Sequence, residues 1–418
     1  MRLVVLALPL IVGMCAAAPA VAQMGSGSGA GGLSQFPDVQ QKRQYLINLG
    51  VYSAYDTDIA QTSKAAAALR GIVPEDWLAT PTLSINAVQP VGANALFVRG
   101  QGGYTFHRQN QQLDSRTVGI TGGGVARSQL CQLALTGAYA ANQTELGLVA
   151  TALSANVEER KSVSAAAQCG RPTGLNGMAS VSRTWVSESA ALARQLNSNL
   201  DNYTLGINFR SHAVGMVGLT ASYLGSEYPD QIVAVAPAVQ FGQTVIIRNY
   251  GLTYANRFGA RLKVDGSISE TSLTRGVAIR GISPHSRSTS YRGDVVYTLS
   301  PRLEFEALGD QSVVPSSIIG KLYEQDTNSE LIARYKLGTK ISLTVGVRRQ
   351  DIHSNTDPAF QLAIFRKSRT DIAYGSIRFA LARRTTILLD VRQQDRTTDL
   401  PIFDYSSTRA SITLNVPI

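Results

Sequence analysis

The sequence predicts an all-β fold, a transmembrane antiparallel β-barrel of about 18 strands (16–18). Three observations carry that prediction. The first is strict alternation of polar and apolar residues, plain in RLKVDGSISE (261–270), KISLTVGVR (340–348) and TILLDVRQ (386–393). A period of two belongs to strands whose faces meet different surroundings. The second is composition. Only 16% of residues are charged, against about a quarter in soluble domains. Past the N-terminus, no stretch has the uninterrupted apolar length of a membrane helix. The third is a rhythm of short and long links between the alternating segments, as in barrels with short periplasmic turns and long extracellular loops.

Taken in order, residues 1–22 read as a signal peptide: Arg2, the apolar stretch LVVLALPLIVGM, then Ala20-Val21-Ala22 before a cleavage site at Gln23. Cys15 would suit a lipid-modified terminus, but Met14 stands where that signal needs a small residue. Residues 23–43 form a Gly/Ser-rich flexible leader. Residues 44–418 are the barrel. Its strands fall at 45–55, 79–88, 94–107, 112–126 and 129–143, then at 157–168, 175–185, 199–210 and 214–226. They continue at 243–256, 259–272, 287–299, 302–313 and 328–338, and end at 340–351, 369–380, 384–396 and 405–417. Short turns lie at 89–93, 210–214, 256–259, 299–302, 337–340 and 382–385. Longer polar links occupy 56–78, 144–156, 186–198, 227–242, 273–286, 314–327 and 352–368. With the short turns in the periplasm, an even strand count puts both termini there as well.

Two further patterns agree with this arrangement. Phe209, Tyr254, Tyr297, Phe305, Tyr335 and Phe379 share the apolar face and lie near short turns, as rings at a membrane interface do. Cys131 and Cys169 are almost equidistant from the link centred near residue 150. Both then sit at the same end of adjacent strands, and a cross-strand disulfide is expected in an oxidising compartment.

The polar half of the stripe predicts the lumen wall: Arg261, Lys263 and Asp265; Arg292 and Asp294; Glu304 and Glu306; Glu330, Arg334 and Lys336; Lys340 and Arg348; Arg378; Asp390 and Arg392; and Arg409. So many charges cannot face lipid, where each costs a few kcal/mol near the midplane. Basic residues outnumber acidic ones, which suits a wet channel favouring anionic solutes. The same charges could instead pair across strands and fill the interior. The net charge of +10 is mostly arginine without a run of like charge, so no nucleic-acid surface is indicated. No enzyme is expected: His107, His212, His285 and His353 are scattered without metal-ligand spacing, and no G-x-S-x-G elbow or P-loop occurs. Nothing calls for a cofactor or a metal.

The stretches SQLCQLALTGAYAANQTEL (128–146), AAAQCGRPTGLNG (165–177), LNSNLDNYTLGINFRSHAVGMVGLTASYLGSEYPD (196–230) and RGDVVYTLSPRLEFEA (292–307) resemble outer-membrane porins of the second β-barrel-porin class. More narrowly, they resemble barrels encoded with exopolysaccharide clusters in sphingomonad-type bacteria. That resemblance implies export of a saccharide polymer across the bacterial outer membrane, with periplasmic export partners. The alternatives are a general diffusion porin for small anionic solutes, a closed structural or adhesive surface barrel, and a hydrolase carried on the loops. One departure stands out. Many such barrels end in an aromatic residue, whereas this chain ends NVPI, although the alternation Ala410, Ile412, Leu414, Val416, Ile418 is intact.

Overall fold

A computed structural model describes residues 42–145, 155–190, 193–235, 238–276, 285–315, 321–356, 365–382 and 385–418. The signal peptide, nearly all of the leader and most of the 144–156 link lie outside the described residues.

Eighteen strands form one closed antiparallel sheet, each paired with its neighbours in sequence. They are β1 (Gln44–Asp56), β2 (Asp76–Val91), β3 (Asn94–His107), β4 (Ser115–Arg127), β5 (Cys131–Glu145) and β6 (Ala155–Gly170). Next come β7 (Gly174–Glu188), β8 (Ser198–Ser211), β9 (Gly215–Val235), β10 (Ala238–Phe258), β11 (Leu262–Arg275) and β12 (His285–Ser300). The last six are β13 (Leu303–Pro315), β14 (Lys321–Leu337), β15 (Ile341–Thr356), β16 (Lys367–Ala382), β17 (Thr385–Thr398) and β18 (Tyr405–Pro417). β1 pairs with both β2 and β18, from Asn48 opposite Pro417 to Asp56 opposite Arg409. Closure leaves no edge strand, the only arrangement in which a sheet's backbone groups are all satisfied inside lipid. At the seam the Ile418 amide donates to the Ile47 carbonyl at 2.9 Å.

Each expected strand is present. Three links differ from expectation. The stretch 227–242 is not a polar link but the continuation of β9 and β10, paired as far as Val235 opposite Ala238 with a bulge at Gly242. Its Ile and Val residues favour the pleat over a loop. The stretch 314–327 is largely β14, which starts at Lys321. There Glu324 and Asp326 keep the alternation going, and a ladder needs only backbone groups. The 56–78 link holds a short helix, α1 (Lys64–Leu69), in which the Ser63 hydroxyl caps the Ala66 amide.

The two faces of the wall separate cleanly. Leu205, Ile207, Leu219 and Leu331 point outward and are each about 60% exposed. Apolar side chains this open to the outside require a lipid solvent. Phe209, Tyr297, Phe305 and Tyr335 ring the outer wall at the end holding both termini. A second ring that the sequence reading missed lies at the opposite, far end, with Trp77, Phe106 and Trp185 exposed and Tyr55 against Trp77 at 5.5 Å. Cys131 and Cys169 are in direct register and form the expected disulfide.

Candidate functional site: the lumen

Alternation places the expected charged residues of β11–β18 on the inward face. On β11, Ser269, Thr271 and Leu273 are buried inward while Ile268 is exposed outward. Lys263 and Asp265 share the inward parity and form an ion pair. Asp265 lies opposite Asp294 across the β11–β12 ladder. Arg334 on β14 bridges Glu304, at 3.1 Å, and Glu306. The Tyr374 hydroxyl donates to Glu330 at 2.6 Å, and Gln350 donates to both carboxylate oxygens of Asp326. Arg292, midway along β12, and Lys336 and Arg378, near the terminus end, are exposed on the inward face. Arg261 and Lys340 lie in turns, where their carbonyls accept from Thr298 and Ala380, so these two sit at the rim rather than on the wall.

The charges divide into two sectors. β11–β14 carry Asp265, Asp294, Glu304, Glu306, Asp310, Asp326 and Glu330 inward, answered by Lys263, Arg292, Arg334 and Lys336. β15–β18 carry Arg348, Arg378, Arg392, Arg396 and Arg409 against a single inward acid, Asp390. Arg392 and Arg409 stand directly opposite each other in the ladder. Like charges at this spacing destabilise a sheet unless something compensates. Arg409 is compensated by Asp56, which accepts from its Nε at 2.7 Å. Arg392 donates to Gln394 at 2.6 Å, yet its buried Nε has no hydrogen-bond partner. Arg348 donates to Asn328 at 2.8 Å.

The far end is built differently. There the inward residues are buried: Ser226, Thr271, Ser290, Gln350, Thr370 and Ser407 are all below 9% exposure. A chain of hydrogen bonds, Ser222–Asn249–Thr271–Ser290, crosses β9 to β12 on this face. The β1–β2 link folds over the opening. Ile59, Ala60, Ala67 and Ile72 pack with inward Tyr52 and Leu78, and Ser63 and Thr62 both donate to the Ile402 carbonyl of the β17–β18 link. Fully buried Asp76 anchors the cover. Its carboxylate accepts from the amides of Trp77, Gln109 and Asn110 and from the Asn110 side chain, all within 2.9 Å. In the same link, burial beside Asp56 pushes the Asp58 carboxyl up to about 6.

Two features correct the expectation of a uniformly polar lumen. Leu224, Tyr228, Val245, Ile247 and Leu273 form an apolar inward cluster near the far end, covered from water by the packing there. Val88, Ala95, Phe97, Val125 and Ala134 form another near the terminus end, where Phe97 lies over Gly123 and no Cβ would fit. The inward charges of the first nine strands, Asp56, Asp76, Arg99, Glu158, Arg160 and Glu188, were outside the sequence reading because alternation there is broken by Gly, Ala and Ser. Among the described residues, no group of His, Cys, Asp and Glu is arranged to hold a metal ion.

No family model matches the sequence, and no curated protein matches it. Solved structures do match the fold. OccK2 (OpdF) of Pseudomonas aeruginosa is 9% identical with a TM-score of 0.50, over 90% of this chain and 98% of that one. The same porin in complex with glucuronate gives the same identity and TM-score, over 90% and 97%. A BenF-like porin from Pseudomonas fluorescens Pf-5 is also 9% identical with a TM-score of 0.50, over 90% and 99%. The fold is thus that of outer-membrane porins.

Proposed function

We propose that this barrel is an outer-membrane channel with both termini in the periplasm, conducting small anionic hydrophilic solutes inward or outward by diffusion. The observation that carries the reading is the arginine sector of β15–β18, where Arg348, Arg378, Arg392 and Arg409 face inward, each at least partly exposed, against one inward acid, Asp390. A carboxylate or phosphate passing along this wall meets donors already aimed into the lumen. The charged inward residues near the terminus end are open to water, and the far end narrows behind the β1–β2 link. That constriction favours small solutes. An acidic sugar of the glucuronate type suits such a wall, and glucuronate is bound by the fold neighbour OccK2. Polymer export rests on sequence resemblance alone and would require the β1–β2 link to move aside.

Planar-bilayer recording tests the reading. Under a salt gradient the reversal potential should report anion preference. Arg348→Glu with Arg392→Glu should turn it toward cations, and glucuronate should reduce the current more than glucose does. An absent conductance would point instead to a closed structural barrel. Surface polysaccharide retained in the periplasm of a deletion strain would revive export.

A further inference from the structure

On the outer wall between β8 and β12 the apolar band is dented. Ala221 on β9 lies in register with Leu205 on β8 and Tyr250 on β10. Its small side chain between two large ones opens a groove of about 970 Å³, whose walls include Ile207, Leu219, Leu252 and Ile268. The groove runs toward the far end and stops at Glu270 and Arg287. There the register brings a second cation alongside: Arg248 on β10 and Arg287 on β12 both flank Ser272 on β11. With strands about 4.8 Å apart, the two stems stand about 10 Å apart, a span that two long guanidinium side chains can close on one anion. Among the described residues Glu270 is the one carboxylate that pairs with Arg287, at 3.7 Å, with the side chains 64% and 81% exposed. An ion pair so long and so exposed holds its partner weakly, so Arg287 is free to turn.

We propose that this groove is a binding site for an anionic phosphate-bearing membrane lipid, with an acyl chain along Leu219 and Leu252 and the phosphate held between Arg248 and Arg287 over the Ser272 hydroxyl. Charge complementarity selects the occupant. A second copy of the chain meeting this face across a two-fold axis would bring the same arginines against each other. A zwitterionic lipid would present its own cation to theirs. The inference goes beyond channel function, because every residue in it faces away from the lumen.

Native mass spectrometry of the detergent-extracted barrel, titrated with phosphatidylglycerol or phosphatidylcholine, tests it. The wild type should retain phosphatidylglycerol at least tenfold more tightly than phosphatidylcholine. Arg248→Gln with Arg287→Gln should erase that difference, and Ala221→Phe should lower retention of both lipids by filling the groove. Each variant is checked as a closed barrel by its gel mobility before heating, and its single-channel conductance should equal the wild type's. Equal retention of the two lipids by the wild type, or an unchanged preference in the double variant, overturns the proposal. So does a stable dimer that Ala221→Phe dissolves. Absent conductance in the wild type would sink the channel reading while leaving the lipid result intact.

Discussion

The two ends of the lumen share the same eighteen strands and the same alternation, yet one is open and the other packed. At the terminus end, Lys263, Lys336 and Arg378 point inward into water. At the far end, Thr271, Ser290, Gln350 and Thr370, on the same face of the same β11–β16 wall, are buried. Strand geometry does not make this difference. Links and extended hairpins contribute to it, by bringing side chains over the inward face of one mouth, whereas the buried inward patch near the other is the cluster around Phe97. Access to the lumen of this barrel is thus set by what covers the wall as well as by the wall.

Substitutions at each end should separate the two contributions. The largest effect is expected at the β1–β18 seam, where Arg409→Met strips the partner from Asp56, itself 1% exposed. An uncompensated buried charge costs about 3–5 kcal/mol. Heat-modifiability on gels should show the seam opening at a clearly lower temperature, and an unchanged transition would mean that Asp56 finds another partner. Next, Asp76→Ala leaves the amides of Gln109 and Asn110 without acceptors, on the order of 3 kcal/mol for groups bonded to a carboxylate. It should release the β1–β2 link, make residues 57–75 sensitive to protease and raise conductance. Protection equal to wild type would show that the apolar contacts of Ile59 and Ile72 suffice as anchors.

Cys131→Ser with Cys169→Ser acts at the open end. It should cost about 2–4 kcal/mol through the unfolded chain and leave conductance alone, which separates stability from gating. Smaller still is a pH effect. The docked link holds Asp58 with a carboxyl pKa of about 6, while a released link returns it to about 4. The docked state therefore binds a proton that the released state gives up between those values, and docking weakens as pH rises through 6. Hydrogen exchange of residues 57–75 should accelerate between pH 5 and pH 7.5 after correction for intrinsic rates, and Asp58→Asn should remove the dependence. Last, Ser63→Ala should loosen α1 by about 1 kcal/mol.

The strands were legible because each answers to a two-sided solvent, and that constraint writes itself into every second residue. Lys263, Glu304 and Arg409 could be placed on the inward face from spacing alone, and the cysteine pair from its symmetry about a link. Other features do not follow from spacing. The separation into an arginine sector and an acidic sector depends on which strands are neighbours and at what height their charges meet. Arg392 opposite Arg409 is visible only once β17 and β18 are in register. The cover over the far end rests on Asp76 reaching Asn110 across a distance in sequence that periodicity cannot relate. The hairpin at 227–242 departs from a polar link because its centre, IVAVAPAV (232–239), is apolar.

The two aromatic rings also measure something. Trp185 of the far ring lies opposite Asn199 on β8, and Phe209 of the near ring closes the same strand. Ten residues at about 3.3 Å each, tilted by about 40°, span about 25 Å along the barrel axis. The protein thus carries its own gauge of hydrocarbon thickness, thinner than the roughly 30 Å of a typical bilayer. A host membrane of the wrong depth would have to deform before the barrel could settle.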